Sequence, residues 1–582
     1  MKKIIFILST AIALQGCQKF LDKHPFASLT PDKTFQNASD MALYVNSFYV
    51  DQTPSAMTIA TTDNLSDNIS GATVPTLMQS STNANNVSGW SWGTLRNINY
   101  FLDNCNNSTA IPASTRNGFA AVAKYFRAWF YFGMVKQYGD VPWYSHALSP
   151  TDPALYKPRD PRTLVMDSIV ADLDFAIANL PVAKDNSSST ITKWVALAFK
   201  SRVCLFEGTF RKYHTELNLT ASATDFLQKS ADAASQVMSS GYYKLHNTGK
   251  PLADYRALFT TETPWSDEML LASVYSNALK QWSSLNYYFT SPTFGNRVSL
   301  NKQFVDTYLK LDGSRFTDQP NFDTINFVNE MQARDPRLQQ TIRCNGYKRL
   351  DGSPAPPDYS GTFTGYQVMK YTLDDKSLDN KSQNNNSIPI IRYAEVLLNY
   401  AEAKAELGQF TNADWTNTIA LLRARAGITN ISYPATADTY LATTYFPNIS
   451  DPALLEIRRE RGIEFACEGY RFDDIRRWKA GYLMSMPYLG VYVPAMNTSY
   501  AMNGDGVLNV SFVSAVPSNP VKGVFYYVIA GNSVMLTNGT YGNIHWLANY
   551  DVSRAWQDKF YYYPIPTSEL VLNPKLTQSP GW

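Results

Sequence analysis

The chain has 582 residues, a net charge of +2 and 45% hydrophobic residues; at ~100–200 residues per domain that length exceeds one compact core, so several domains or an extended solenoid-like body are expected. Near-neutral charge gives no basic patch for nucleic acid. Charged residues make up only 17%, and Asn, Ser, Thr and 37 Tyr take their place, a surface suited to uncharged, polyhydroxylated ligands.

The first element in chain order is an export signal. Met1-Lys2-Lys3 precedes an apolar run over 4–14, and Leu14-Gln15-Gly16-Cys17 follows. Two lysines, a short apolar stretch and a small residue before the cut describe a signal peptide over 1–16. The run is about half of the ~20 residues that a membrane-spanning helix needs. A cysteine directly after the small residue resembles a bacterial lipoprotein signal, in which acylation (palmitate, for example) of the Cys17 thiol creates the mature N-terminus. An ordinary signal peptide with a chance cysteine is the alternative. Residues 17–37, with Pro25 and Pro31, then form the lipidated end and a polar tether.

Helical patterns follow. Residues 40–49 give one helix, and Leu95, Ile98, Asn99 and Leu102 keep one face of the next. Residues 119–137 are apolar on nearly all sides, as in a buried central helix, and stop at Gly139 with Pro142 beyond. Further helices are expected over 163–178, over 193–207 with a stop at Gly208, and over 226–240 with a stop at Gly241. Residues 242–388 are loop-rich. Beyond Pro389, 391–407 and 415–426 form a helix–turn–helix pair closed by Gly408 and Gly427. Its alanines, like those of the pair 193–208 and 226–241, resemble tetratricopeptide units, in which small residues let helices approach. The period is not fixed, so an irregular helical bundle is the other reading. Over 481–560, Asn503-Gly504-Asp505-Gly506, Asn538-Gly539 and Gly542-Asn543 punctuate short β-branched and aromatic runs as hairpins do.

The densest motif is LLEIRRERGIEFACEGYRFDDIRRWK over 454–479. Paired carboxylates can do general acid/base work. So many arginines beside Glu456, Glu460, Glu464 and Glu468 instead lower carboxyl pKa values, which is wrong for a general acid. An ion-pair network tying two helices together is expected. Cys105, Cys204, Cys344 and Cys467 show no C-x-x-C spacing, and the histidines no H-E-x-x-H, so no metal site is expected. With no G-x-S-x-G and no phosphate-binding loop, no catalytic residue or cofactor is expected either. The last segment, YYYPIPTSELVLNPKLTQSPGW over 561–582, reads as a strap docked across the body.

With Cys17, FRAWFYFGMVKQYGDVPW (126–143), IRYAEVLLNYAEAKAELG (391–408) and RRERGIEFACEGYRFDDIRRW (458–478), this C-terminal segment resembles the SusD/RagB family of outer-membrane nutrient-binding lipoproteins. The pieces run in order from the first residues to the last. The resemblance implies an all-α dominated fold: a right-handed α-α superhelix of tetratricopeptide-like pairs, with an irregular loop-rich region and small β-hairpins. It implies an N-terminal helical region over 38–245 and a C-terminal region over 246–582, the latter holding the ligand-binding loops and the pair 391–426. It also implies a cell-surface glycan-binding protein, anchored at Cys17, that feeds a SusC-like TonB-dependent outer-membrane transporter.

Sugars stack C–H faces on aromatic rings while amides, carboxylates and arginines hold their hydroxyls, so the site belongs on loops beside a rigid scaffold. Loop 63–92 offers Asp63, Asn64, Asp67, Asn68 and Trp90, with Trp92 assigned to core packing. Loop 265–297 offers Trp265, Trp282, Tyr287, Tyr288 and Arg297, beside Phe294 and Asn296. Two other classes stay open: a glycoside hydrolase with aromatic subsites, and a helical-repeat scaffold for protein partners.

Overall fold

A computed structural model describes residues 35–582 except Ser108 and Phe294. The export signal and Cys17 lie outside the described residues. The principal helices are α1 (Ala38–Gln52), α2 (Gly93–Asn104), α3 (Ala113–Tyr138), α4 (Arg162–Asn179), α5 (Lys193–Tyr213), α6 (Ala223–Ser239), α7 (Tyr393–Glu406), α8 (Ile419–Arg425), α9 (Pro452–Glu464) and α10 (Arg471–Arg477). Helix pairs α3/α4 and α5/α6 stack on one another, and α7 packs on α5, α6 and α9. One hydrophobic core runs through them from Phe35 to Ile565. The structure is therefore helix-dominated with small sheets, as expected.

Three helix boundaries differ from the expectation, each for a local reason. Gly208 does not stop α5, which continues to Tyr213. A Cβ at Gly208 would lie 2.8 Å from Leu227 Cγ on α6, so this glycine serves close helix approach rather than termination. Residues 391–392 are not helical. They end the strand Ile388–Arg392, which pairs antiparallel with Met269–Ser273, as the Pro389 and β-branched neighbours favour. The expected helix 415–426 is broken at Thr418 (φ −134°, ψ −85°). The Thr418 hydroxyl donates to the Asp414 carbonyl at 2.6 Å, a local bond that competes with the helical ladder.

The region 481–560 also departs from simple hairpins. Tyr488–Val493, Gly542–Trp546 and Val534–Leu536 form an antiparallel sheet with the Gly542–Trp546 strand in the middle. In the second sheet Val510–Val513 pairs antiparallel with Thr498–Tyr500 but parallel with Phe525–Val528. A parallel pair cannot be joined by a tight turn, and the long connection over 514–524 supplies the crossing.

The dense motif is structural. Arg392 meets Glu268, Glu464 and Glu468, while Arg337 meets Asp335, Glu460 and Glu464. Arg425 reaches Glu268 and Glu464, and Arg477 reaches Glu402 and Asp474. All of these groups are buried. Burial alone would raise the Glu464 carboxyl, but Arg425, Arg392 and Arg337 outweigh it and hold it well below its usual range. The four described cysteines are free and buried. The C-terminal segment is a docked strap: Tyr563 N–H donates to Gln137 O at 2.7 Å and Thr567 N–H to Ala84 O at 2.8 Å. Arg159 adds bonds to the Thr577 and Gln578 carbonyls.

Candidate ligand-binding cleft

The two nominated loops meet in space. Strand Ile69–Ser70 pairs antiparallel with Ser299–Leu300. Asn301 ties the seam, donating from its backbone to Asn68 O at 2.9 Å and from its amide to Asp67 O at 2.7 Å. The Tyr288 hydroxyl accepts from Asn64 Nδ2 at 2.6 Å and from Asn296 Nδ2 at 3.0 Å, which joins the loops a second time.

Several nominated residues stand behind the surface. Asp67 is buried and holds the Arg471 guanidinium through two bonds of 2.7 and 2.8 Å. Asp63 is buried too and accepts the Arg471 backbone N–H at 3.3 Å. Burial pushes its carboxyl up to about 7 against the backbone hydrogen bonds from Gly469 and Arg471. Asn68 is buried and Tyr288 nearly so. Half-buried Trp282 donates to Asn277 Oδ1 at 3.1 Å, and half-buried Tyr287 lies on the short helix Leu285–Thr290. Trp90 and Trp265 have other neighbours: Trp90 packs edge-on against Tyr138 and Trp92, and Trp265 stacks on His246 at 4.2 Å.

Arg297 leads from the seam to a cleft. It sits at φ +47° and donates to the Pro292 carbonyl, with its guanidinium 5.6 Å from the Phe363 ring. Phe363 stacks on Trp546 with centroids 4.2 Å apart and planes within 16°. Trp546 Nε1 donates to Gly71 O at 2.9 Å, so the indole is pinned where the 63–92 loop leaves the seam. Beyond it, Thr73, Gln79, Ser80 and Ser81 face Leu547, Tyr550 and Ser553 across a cleft of about 360 Å³. That volume lies within the ~300–1,000 Å³ usual for small-ligand sites.

The far wall is held rigidly. His545 Nε2 lies 2.8 Å from Asp551 Oδ2, and Arg554 also pairs with Asp551 at 3.0 Å. Leu547 has φ +54°, a left-handed conformation that costs a bulky residue energy and that surrounding structure must enforce. Tyr550, 44% exposed, presents its ring toward solvent at the cleft edge. The walls thus combine the Tyr550 ring and small apolar groups with hydroxyl and amide groups, and no charged side chain lines them.

Trp546 and Tyr550 were not among the nominated residues. The Asn538-Gly539 turn marks the strand that carries Trp546, but not its partner. That partner, Tyr488–Val493, lies some fifty positions earlier in the chain.

Residues 268–582, more than half of the chain, match the SusD family, and residues 19–205 match a family described as starch-binding, associating with outer membrane. SusD-like protein P38 of Formosa agariphila is 26% identical over 380 residues, which cover 60% of this chain and 64%, less than two thirds, of that protein. A SusD-like carbohydrate-binding protein from Bacteroides fragilis superposes with TM-score 0.68 at 23% identity, covering 93% of this chain and 99% of the other. A laminarin-binding SusD-like protein superposes with TM-score 0.56 at 18% identity, covering 94% and 100%.

Proposed function

The chain belongs to the SusD family, and on that premise we propose that it is a cell-surface glycan-binding lipoprotein that captures neutral oligo- or polysaccharide and delivers it to a TonB-dependent outer-membrane transporter. The observation that carries the reading is the cleft between residues 72–81 and 547–553, whose far wall begins at Leu547, next in the chain to the pinned Trp546. One exposed ring, Tyr550, beside hydroxyl- and amide-bearing side chains without charge suits a neutral sugar. Glycoside hydrolysis uses two carboxylates flanking the bond; no carboxylate lines this cleft, which favours capture without turnover.

The family described as starch-binding and associating with outer membrane supports both the ligand class and the location. A laminarin-binding structural neighbour makes β-glucan a sensible second probe beside starch. Lipidation at Cys17 would supply the anchor, and residues 17–37 the tether. On this reading 38–245 is the helical half and 246–582 supplies most of the ligand loops, the 63–92 loop reaching across to complete the cleft.

The test is calorimetric titration with maltoheptaose and laminarihexaose. Trp546→Ala and Tyr550→Ala should each weaken binding about tenfold, equivalent to ~1.4 kcal/mol. Trp265→Ala, on a different neighbour set, should leave it unchanged. Unaltered affinity in both cleft variants, with near-ultraviolet circular dichroism showing them folded, would remove the cleft from the reading.

A further inference from the structure

Buried arginines in this chain answer to carboxylates or to backbone carbonyls. Arg392, Arg337, Arg425 and Arg477 each meet two carboxylates or more. Arg334 donates to the Glu330, Val305 and Tyr308 carbonyls. Arg476 differs. It is 3% exposed, and its Nε and Nη2 are buried without a hydrogen-bond partner. Leaving charged donors unsatisfied is expensive, because a buried ion needs compensation that only an acceptor supplies.

The surroundings hold that guanidinium in place without satisfying it. Its carbon lies 4.1 Å from the Phe472 ring centroid and 5.2 Å from that of Tyr563 on the strap. Rings steady a cation over their faces, but they leave its in-plane N–H donors free. Asp473, three residues earlier on α10, pairs with Lys136 of α3 instead. Arg476 borders a cleft of about 430 Å³ between α3, α10, the strap and residues 54–65, shared with Lys136, Arg202, Glu468, Tyr470, Asp473 and Tyr563; Glu468 is already engaged by Arg392 and Lys370. A guanidinium steadied by rings, with two unsatisfied donors just behind the wall of a cleft that its side chain borders, is the kind of group that grips carboxylate or sulfate oxygens.

We propose that this cleft is an oxyanion-binding site, with Arg476 as the anchor and Lys136 at its rim, taking a carboxylate or sulfate group. The group could be carried by an acidic sugar or be a free inorganic anion. The site is separate from the Trp546 cleft and does not depend on the glycan reading. Asp473 limits it: its carboxylate repels the ligand and engages Lys136.

The test is calorimetric titration of the full chain with sodium sulfate and with sodium glucuronate, in chloride buffers of matched ionic strength, with glucose as the neutral control. Saturable binding of at least one oxyanion is expected, and glucose should not compete with it. Glucuronate binding assigns the site to acidic sugars, and sulfate binding alone assigns it to sulfate, bound or free. Arg476→Gln should weaken binding about tenfold or more, as loss of a charge-assisted pair requires. Asp473→Asn should tighten it several-fold, because Lys136 is released toward the ligand. Absence of binding by either anion overturns the proposal, as does unchanged affinity in folded Arg476→Gln. If that variant does not fold, Asp473→Asn decides: unchanged or weaker binding overturns it.

Discussion

Gly208 shows how one residue type can carry two opposite meanings. At the end of an apolar run, glycine usually marks a helix stop. Here it sits in mid-helix, where α6 presses Leu227 against the missing side chain. Helix propensity alone says that Gly208→Ala should stabilise by about 1 kcal/mol. Overpacking should win, because the nearest atoms include the Leu227 backbone nitrogen at 2.9 Å, which cannot rotate away. The expected outcome is a lower melting temperature and a loss of ~1–3 kcal/mol. A higher melting temperature in a calorimetric scan would show that the two helices separate freely. Asp67 teaches the same lesson about nominated residues: its chemistry is that of a sugar ligand, yet it is spent on Arg471.

Helix α9 takes part in many of the buried ion pairs, and the acid response of the protein follows from such pairs. Burial raises Glu464, Glu456 and Glu402, but neighbouring arginines win and leave all three lowered, Glu402 to about 2. A carboxyl depressed in the folded state contributes stability that is complete above its unfolded value near 4.5 and lost as pH falls through the folded value. Asp63 and Asp306 work the other way. Burial raises them to about 7 and about 6, so their contribution falls as pH rises from 3.8 toward those values. The melting temperature should therefore peak near pH 4.5, falling on the acid side as the glutamates protonate and declining toward pH 7 as the two aspartates ionise. Glu464→Gln should blunt that acid fall and cost ~3–5 kcal/mol at neutral pH, since it takes one carboxylate charge away from three buried guanidinium groups at once. A flat melting profile from pH 3 to 7 would contradict both windows. Calorimetry across pH measures each.

At the scale of the whole molecule, the strap and the tether act on opposite ends. The strap sets Tyr563 beside Arg476 and docks on the end of α3, whereas the tether would set where the body works. One acyl chain holds a protein only marginally, while two or more hold it stably. Cys17→Ser should therefore leave glycan affinity intact and move the protein from the membrane to the soluble fraction. Retention of the variant on washed outer membranes would refute the anchor.

Read alone, the residue order identified the family, the helix-dominated class, the docked strap and the structural role of the Arg-rich motif. Each of these is written in local pattern: apolar period, small-residue spacing, or charges that alternate within one helix. The binding surface is not local. The pairing of Ile69–Ser70 with Ser299–Leu300 joins segments more than two hundred residues apart. The stack of Phe363 on Trp546 likewise joins chain positions that no spacing rule connects. An aromatic in a loop looks the same whether it packs or binds. Burial and neighbours separate the two, and both are set by how distant segments meet. Arg476 is the clearest case. In RRW it is indistinguishable from Arg477, yet folding gives Arg477 two carboxylates and leaves Arg476 with two rings and free donors.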